Sequence, residues 1–175
     1  ENHELYELGR LPIEDLSSLQ ASFNELPEDS YVGKRLRSRR YSCYKYSQKT
    51  GLQHLPRKDF MQKSDINKAL GDVHRTYEEI DSALEENPIF VKLFEEMRTR
   101  TSISDESVVE VHQIRWHCDG EEKDLAPEGT HQDGFDYIGM FMIDSHNIKG
   151  GEIMLFRSLE DKAPFLKKKL ENGEF

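Results

Sequence analysis

Two strand-like stretches, Val108 to Trp116 and Phe135 to Ile143, flank a polar connection that closes with Pro-Glu-Gly-Thr-His-Gln-Asp-Gly-Phe-Asp at 127–136. The first stretch is β-rich, with Val108, Val109, Val111 and Ile114. The second, Phe-Asp-Tyr-Ile-Gly-Met-Phe-Met-Ile, is the most apolar segment of the chain and predicts a buried strand. In extended backbone, residues i and i+2 leave the same face with Cα atoms about 6–7 Å apart. His131 and Asp133 are so spaced. An imidazole and a carboxylate at that separation suit two ligands of one metal ion. They supply two thirds of the facial 2-His-1-carboxylate set that holds non-haem Fe(II). A later strand is expected to bring the second histidine, and no obvious candidate for it follows before Phe175.

The rest of the chain reads as helices first and short strands later. Leu11 to Leu26 has Pro12 in its first turn, Glu14 and Asp15 near its start, and Leu16, Leu19 and Phe23 at helical spacing. Residues 35 to 46 set basic against apolar or aromatic side chains and predict a long strand. Ser47 to Lys58 reads as a loop, and Lys63 to Leu84 as helix broken near Gly71. Pro88 opens a stronger helix with Ile89, Phe90, Leu93, Phe94 and Met97 on one face. Gly150-Gly151 leads into a strand over 152–156. Asp161 to Leu170 reads as helical or irregular, with Lys167 to Lys169 a solvated face. This order predicts an α+β chain, mainly β with N-terminal helices, built on a jelly-roll (cupin, double-stranded β-helix) core.

Bulk composition narrows the partners. A chain of 175 residues predicts one domain with a real core. A net charge of −10 repels phosphate backbones and argues against nucleic acid. The exception is the basic cluster Lys34, Arg35, Arg37, Arg39 and Arg40, which either binds an acidic ligand or pairs with the many acidic side chains. No apolar run reaches the roughly 18 residues of a membrane span, and no secretory signal is visible. Cys43 and Cys118, far apart in sequence, read as reduced thiols of a cytoplasmic protein. A mean hydropathy of −0.79 fits a highly charged exterior. The first residue is Glu rather than Met, so a trimmed N-terminus is expected.

His146 lies in a turn beyond the apolar strand and reads as a surface residue. Neighbours along a strand face opposite ways, so His117-Cys118-Asp119 is not expected to form a second metal cluster. Gln113 and Arg115 share one strand face while His112 takes the other. Asp136 either holds a substrate ammonium or stabilises a turn. Gly129 and Gly134 supply tight backbone around the pair. Met140, Met142 and Met154 are expected in the core.

Three segments together carry a family likeness: Val109-Glu110-Val111-His112-Gln113-Ile114-Arg115, the PEGTHQDGFDY run at 127–137, and Ile148-Lys149-Gly150-Gly151-Glu152. The chain resembles the small Fe(II)/2-oxoglutarate dioxygenases that hydroxylate free amino acids, the bacterial isoleucine hydroxylase group. Arg37-Ser38-Arg39-Arg40-Tyr41 is similar to an N-terminal strand of that group. The likeness runs from about Asp29 to Phe156 and is strongest over 109–156. His-x-Asp alone is common, whereas its combination with Pro-Glu-Gly before it and Asn-Ile-Lys-Gly-Gly-Glu after it is far more specific.

The resemblance implies Fe(II) held by His131 and Asp133, with 2-oxoglutarate decarboxylated to succinate as a small substrate is hydroxylated. It implies contacts to 2-oxoglutarate from Gln113 and Arg115, and to an amino-acid substrate from Arg115, Glu128 and Asp136. Dioxygen is the second small molecule, neither membrane nor nucleic acid is expected, and a homodimer stays open. The family's distal histidine and basic anchor come from strands after Gly-Gly-Glu, so a domain incomplete at its C-terminus is expected. The competing readings are a non-catalytic cupin-like binding module, a degenerate relative lacking the third ligand, and a plain acidic interaction domain.

Overall fold

The computed structural model describes residues 5–33, 36–67, 70–122, 125 and 129–175. Its centre is a long strand, β1 (Arg37–Ser47), whose sequence alternates large side chains on both faces. It is flanked by β2 (Gly51–His54) and β3 (Val109–Trp116) in an antiparallel sheet of order β2-β1-β3. The register sets Tyr44 opposite His54 on one side and Tyr41 opposite His112 on the other.

Period-two alternation sorts β1 into two cores. Tyr44 and Tyr46 face one way and pack with Leu19, Ile80, Leu84, Phe90, Phe94 and Ile143. Tyr41 and Cys43 face the other way and pack with Phe60 and Tyr77. The first core is covered by α2 (Ser82–Glu85) and α3 (Pro88–Arg100). Helix α3 forms as its sequence predicts. Asn87 caps it by accepting from the Ile89 N–H at 2.9 Å, Pro88 occupies the first turn, and Arg98 and Arg100 lie in the last turn. Phe90 and Phe94, four residues apart, meet the Tyr44 ring edge-on at 6.0 and 5.4 Å.

A second antiparallel pair, β4 (Ile153–Leu155) and β5 (Leu166–Lys168), lies later in the chain. The architecture is therefore mostly antiparallel β with few helices. Among the described residues, no helix is long and apolar enough to cross a membrane.

Several expectations are corrected. The N-terminal helix shrinks to α1 (Ser17–Ala21), followed by a 3-10 turn over Ser22–Glu25. Its serines compete for backbone groups, and the Ser22 hydroxyl donates to the Leu19 carbonyl at 2.6 Å. Ser47 to Lys58 is not all loop, because β2 forms a hairpin within it. The described part of 63–84 is helical only at α2. There Asn67 accepts from the Leu70 N–H and Asp72 from the Ser64 N–H, which satisfies the backbone locally instead of through helix. Strand β5 replaces the helical reading of 161–170 because its backbone pairs with β4.

The apolar segment 135–143 forms no strand. Phe135 is 47% exposed and Ile138 61%. Met140 and Met154 are exposed as well, so they are not core residues. Apolar sequence reports burial only where a partner layer covers it. Such cover reaches the end of this segment: Met142 donates its N–H to the Glu174 carbonyl and accepts from the Gly173 N–H, and Ile143 is buried.

Candidate metal centre

The His131 imidazole and the Asp133 carboxylate converge, with Nε2 and Oδ1 3.4 Å apart. Each has a further hydrogen-bond partner. His131 Nδ1 lies 2.8 Å from the Gly129 carbonyl oxygen. A carbonyl only accepts, so Nδ1 carries the proton and, in the neutral ring, the Nε2 lone pair faces the Asp133 side. Asp133 Oδ1 accepts from Gln62 Nε2 at 3.0 Å. Backbone turns at Gly129 (φ +73°) and Gly134 (φ +76°) bracket the pair, in a region of dihedral space that glycine enters freely. A Cβ at Gly134 would lie 2.9 Å from Ile66 Cδ1 and displace the tip of that side chain, while the dihedral itself favours glycine.

Gln62 is buried and joins Asp133 to the interior. Its Oε1 accepts from Asn67 Nδ2 at 3.0 Å and from Arg75 at 2.9 Å. Arg75 is fixed in turn because its backbone exchanges two 2.9 Å hydrogen bonds with Phe60. The Arg75 guanidinium lies 4.5 Å from the Phe60 ring centroid. On the same side of the sheet, Arg39 of β1 lies over Phe60 and Tyr77 and hydrogen-bonds to His112 Nδ1. His112 stacks on Tyr41 at 4.8 Å. Burial and then the Arg39, Arg75 and Arg37 charges hold the His112 imidazole well below its ordinary pKa. Burial also lowers the Arg39 guanidinium to about 10.

Gln113 and Arg115 lie elsewhere. Gln113 and Arg115 emerge from the opposite face of β3 to His112. Gln113 donates to Ser22 Oγ at 2.7 Å, beside a cavity of about 250 Å³ that Arg40 and Asn87 also line. Arg115 donates to the Phe23 carbonyl at 3.3 Å and to Asn24 Oδ1 at 3.1 Å. Asp136 and His146 are exposed. Glu128 lies outside the described residues. His117 is engaged with Ser38 Oγ at 2.8 Å. Sequence reasoning missed Gln62, Asn67 and Arg75, because single polar residues in an irregular segment carry no periodic signal.

An imidazole nitrogen and a carboxylate oxygen 3.4 Å apart fit ferrous iron chemically. Among the described residues, no third His, Cys, Asp or Glu joins them. The family model described as 2OG-Fe dioxygenase matches residues 20–175. The chain belongs to that family. The family implies Fe(II) and 2-oxoglutarate as cofactors, and His131 and Asp133 present the donor chemistry such an ion takes. A search of curated protein sequences returns no match. Among solved structures, the chain is similar to a BsmA homologue from Methylobium petroleophilum, with a TM-score of 0.72 and 22% identity. That alignment covers 89% of this chain and 64% of the other, and it shows a shared fold. The chain thus spans just under two thirds of that protein's length. A second structure, IDO from Bacillus thuringiensis, aligns at 22% identity over 58% of this chain and 41% of the other, with a TM-score of 0.40, too loose to add to the argument.

Proposed function

We propose that the protein is an Fe(II)- and 2-oxoglutarate-dependent oxygenase that hydroxylates a small molecule, with a free amino acid as the preferred substrate class. The reading rests on one observation: a histidine and an aspartate of a 2OG-Fe dioxygenase chain face each other at 3.4 Å, each with one further hydrogen-bond partner. In this proposal the two side chains hold the iron on the double-stranded β-helix core that the family likeness suggests. The bound metal and co-substrate supply oxidation of a C–H bond coupled to decarboxylation.

The chain's own residues do the positioning. The Gly129 carbonyl fixes the His131 tautomer, and Gln62 fixes the Asp133 rotamer, so neither ligand must reorganise on binding. Asp136, three residues beyond the aspartate, is the proposed partner for a substrate ammonium. The aromatic side chains of Tyr41, Phe60 and Tyr77 exclude water from the interior behind the ligands.

The test is succinate release. Protein supplied with Fe(II), 2-oxoglutarate and dioxygen is screened against single amino acids. Turnover that depends on iron and on one amino acid, and that His131→Ala abolishes, is expected. Equal succinate release with and without iron would refute the proposal.

A further inference from the structure

Arg39 and Arg75 are the unusual groups of this interior. They are only 6% and 3% exposed. Among the described residues, the Nε of each has no hydrogen-bond partner. Burying a guanidinium is costly unless an anion and a full set of acceptors accompany it. Among the described residues, the only buried carboxylate is Asp29, and it is committed to Arg37 at 2.7 Å. Among the described residues, the groups in direct contact with Arg39 and Arg75 are neutral: the Phe60 and Tyr77 rings, the Tyr77 hydroxyl at 3.5 Å, His112, and the Gln62 amide, with the Asp29–Arg37 pair further off. His112 adds no charge because its environment keeps it unprotonated. The cluster therefore holds an excess of positive charge with unused N–H donors inside an aromatic wall.

We infer that Arg39 and Arg75 form a receptor for a carboxylate beside the candidate metal ligands. Two planar forks held on aromatic faces match the flat, bidentate geometry of a carboxylate. Low surrounding polarity strengthens that attraction relative to water. The position is also apt, since Gln62 alone separates the Arg75 guanidinium from Asp133. The identity of the anion rests on the oxygenase reading, in which both 2-oxoglutarate and an amino acid carry a carboxylate. The existence of the receptor does not.

Thermal unfolding of the metal-free protein in millimolar 2-oxoglutarate, in a mixture of proteinogenic amino acids, and in chloride of equal ionic strength tests it. A ligand that binds only the folded state raises the midpoint. At least one carboxylate should raise it above chloride. Arg39→Gln and Arg75→Gln should each weaken that ligand by about tenfold to a hundredfold. Arg39→Lys, which keeps the charge but loses the fork, should retain part of the response and covers the case in which a glutamine variant does not fold. A response to 2-oxoglutarate assigns the receptor to the co-substrate, and a response to the amino acids assigns it to the substrate. If neither ligand exceeds chloride, or if the variants respond as the wild type does, the receptor is disproved. Mn(II) binding by wild type and by His131→Ala, measured in parallel, tests the oxygenase reading independently.

Discussion

Gln62 reaches across 71 residues of sequence to donate a 3.0 Å hydrogen bond to Asp133 Oδ1. Its other amide atom is occupied by Asn67 and Arg75. The candidate ligand is thus oriented from a buried network rather than by its own loop. Gln62→Leu keeps the volume and removes every one of those bonds. It should weaken Mn(II) binding by about tenfold to a hundredfold, the usual effect of losing a partner behind a metal ligand. It should also lower stability by about 1–3 kcal/mol, because buried donors are left unpaired. Metal titration and urea unfolding of the one variant check both, and an unchanged metal affinity would separate Gln62 from the site.

His112 makes stability depend on pH with a definite sign. Its folded-state pKa is depressed by burial and by the Arg39, Arg75 and Arg37 charges. The unfolded chain takes up a proton near pH 6.5 while the folded chain does not. Its contribution is therefore complete above about pH 6.5 and is lost as the pH falls below that value. Denaturation of wild type and His112→Gln across pH 5 to 8 should show a shallower acid-side slope in the variant, by up to about 1.4 kcal/mol per pH unit. Parallel profiles would show that another group carries the dependence.

Asp29 and Arg37 form a buried pair in which Oδ2 accepts from Nε at 2.8 Å, while Oδ1 accepts from the Tyr31 N–H at 3.0 Å. Removing one partner strands the other's charge. Arg37→Met should cost about 3–5 kcal/mol, and Asp29→Asn combined with Arg37→Met should recover part of that loss. Chemical denaturation of the single and double variants reads the cycle. Additive losses would mean that the pair is not coupled.

Phe94 contacts Tyr44, Tyr46 and Phe90, with ring centroids 5.4, 6.0 and 5.4 Å away. Phe94→Ala should destabilise by about 3–5 kcal/mol. Because this core lies on the opposite face of β1 from Arg39, the Mn(II) affinity of the folded fraction should stay at the wild-type value. A stability loss below 1 kcal/mol would show that the core collapses around the gap.

Legibility in the sequence followed periodicity. Strands β1 and β3 and helix α3 were readable because each repeats large side chains at its own period, and α3 also carries Asn87 and Pro88 at its start. The closeness of His131 and Asp133 was readable because residues two apart meet through local geometry alone. Gln62 and Arg75 were not, since they meet Asp133 through a fold-level contact between irregular segments. The segment 135–143 misled because its composition reports hydrophobicity, whereas burial depends on which layer covers it. Gln113 and Arg115 were set on one face of β3 by alternation, but that His112 and not they would share the face of Tyr41 was fixed only by the strand register.

The most direct test is anaerobic Mn(II) titration, followed by loss of the free-ion electron paramagnetic resonance signal, in the presence of 2-oxoglutarate. The account predicts one bound ion per wild-type chain, with affinity at least about tenfold weaker in both His131→Ala and Asp133→Ala. Equal binding by wild type and both variants would contradict it.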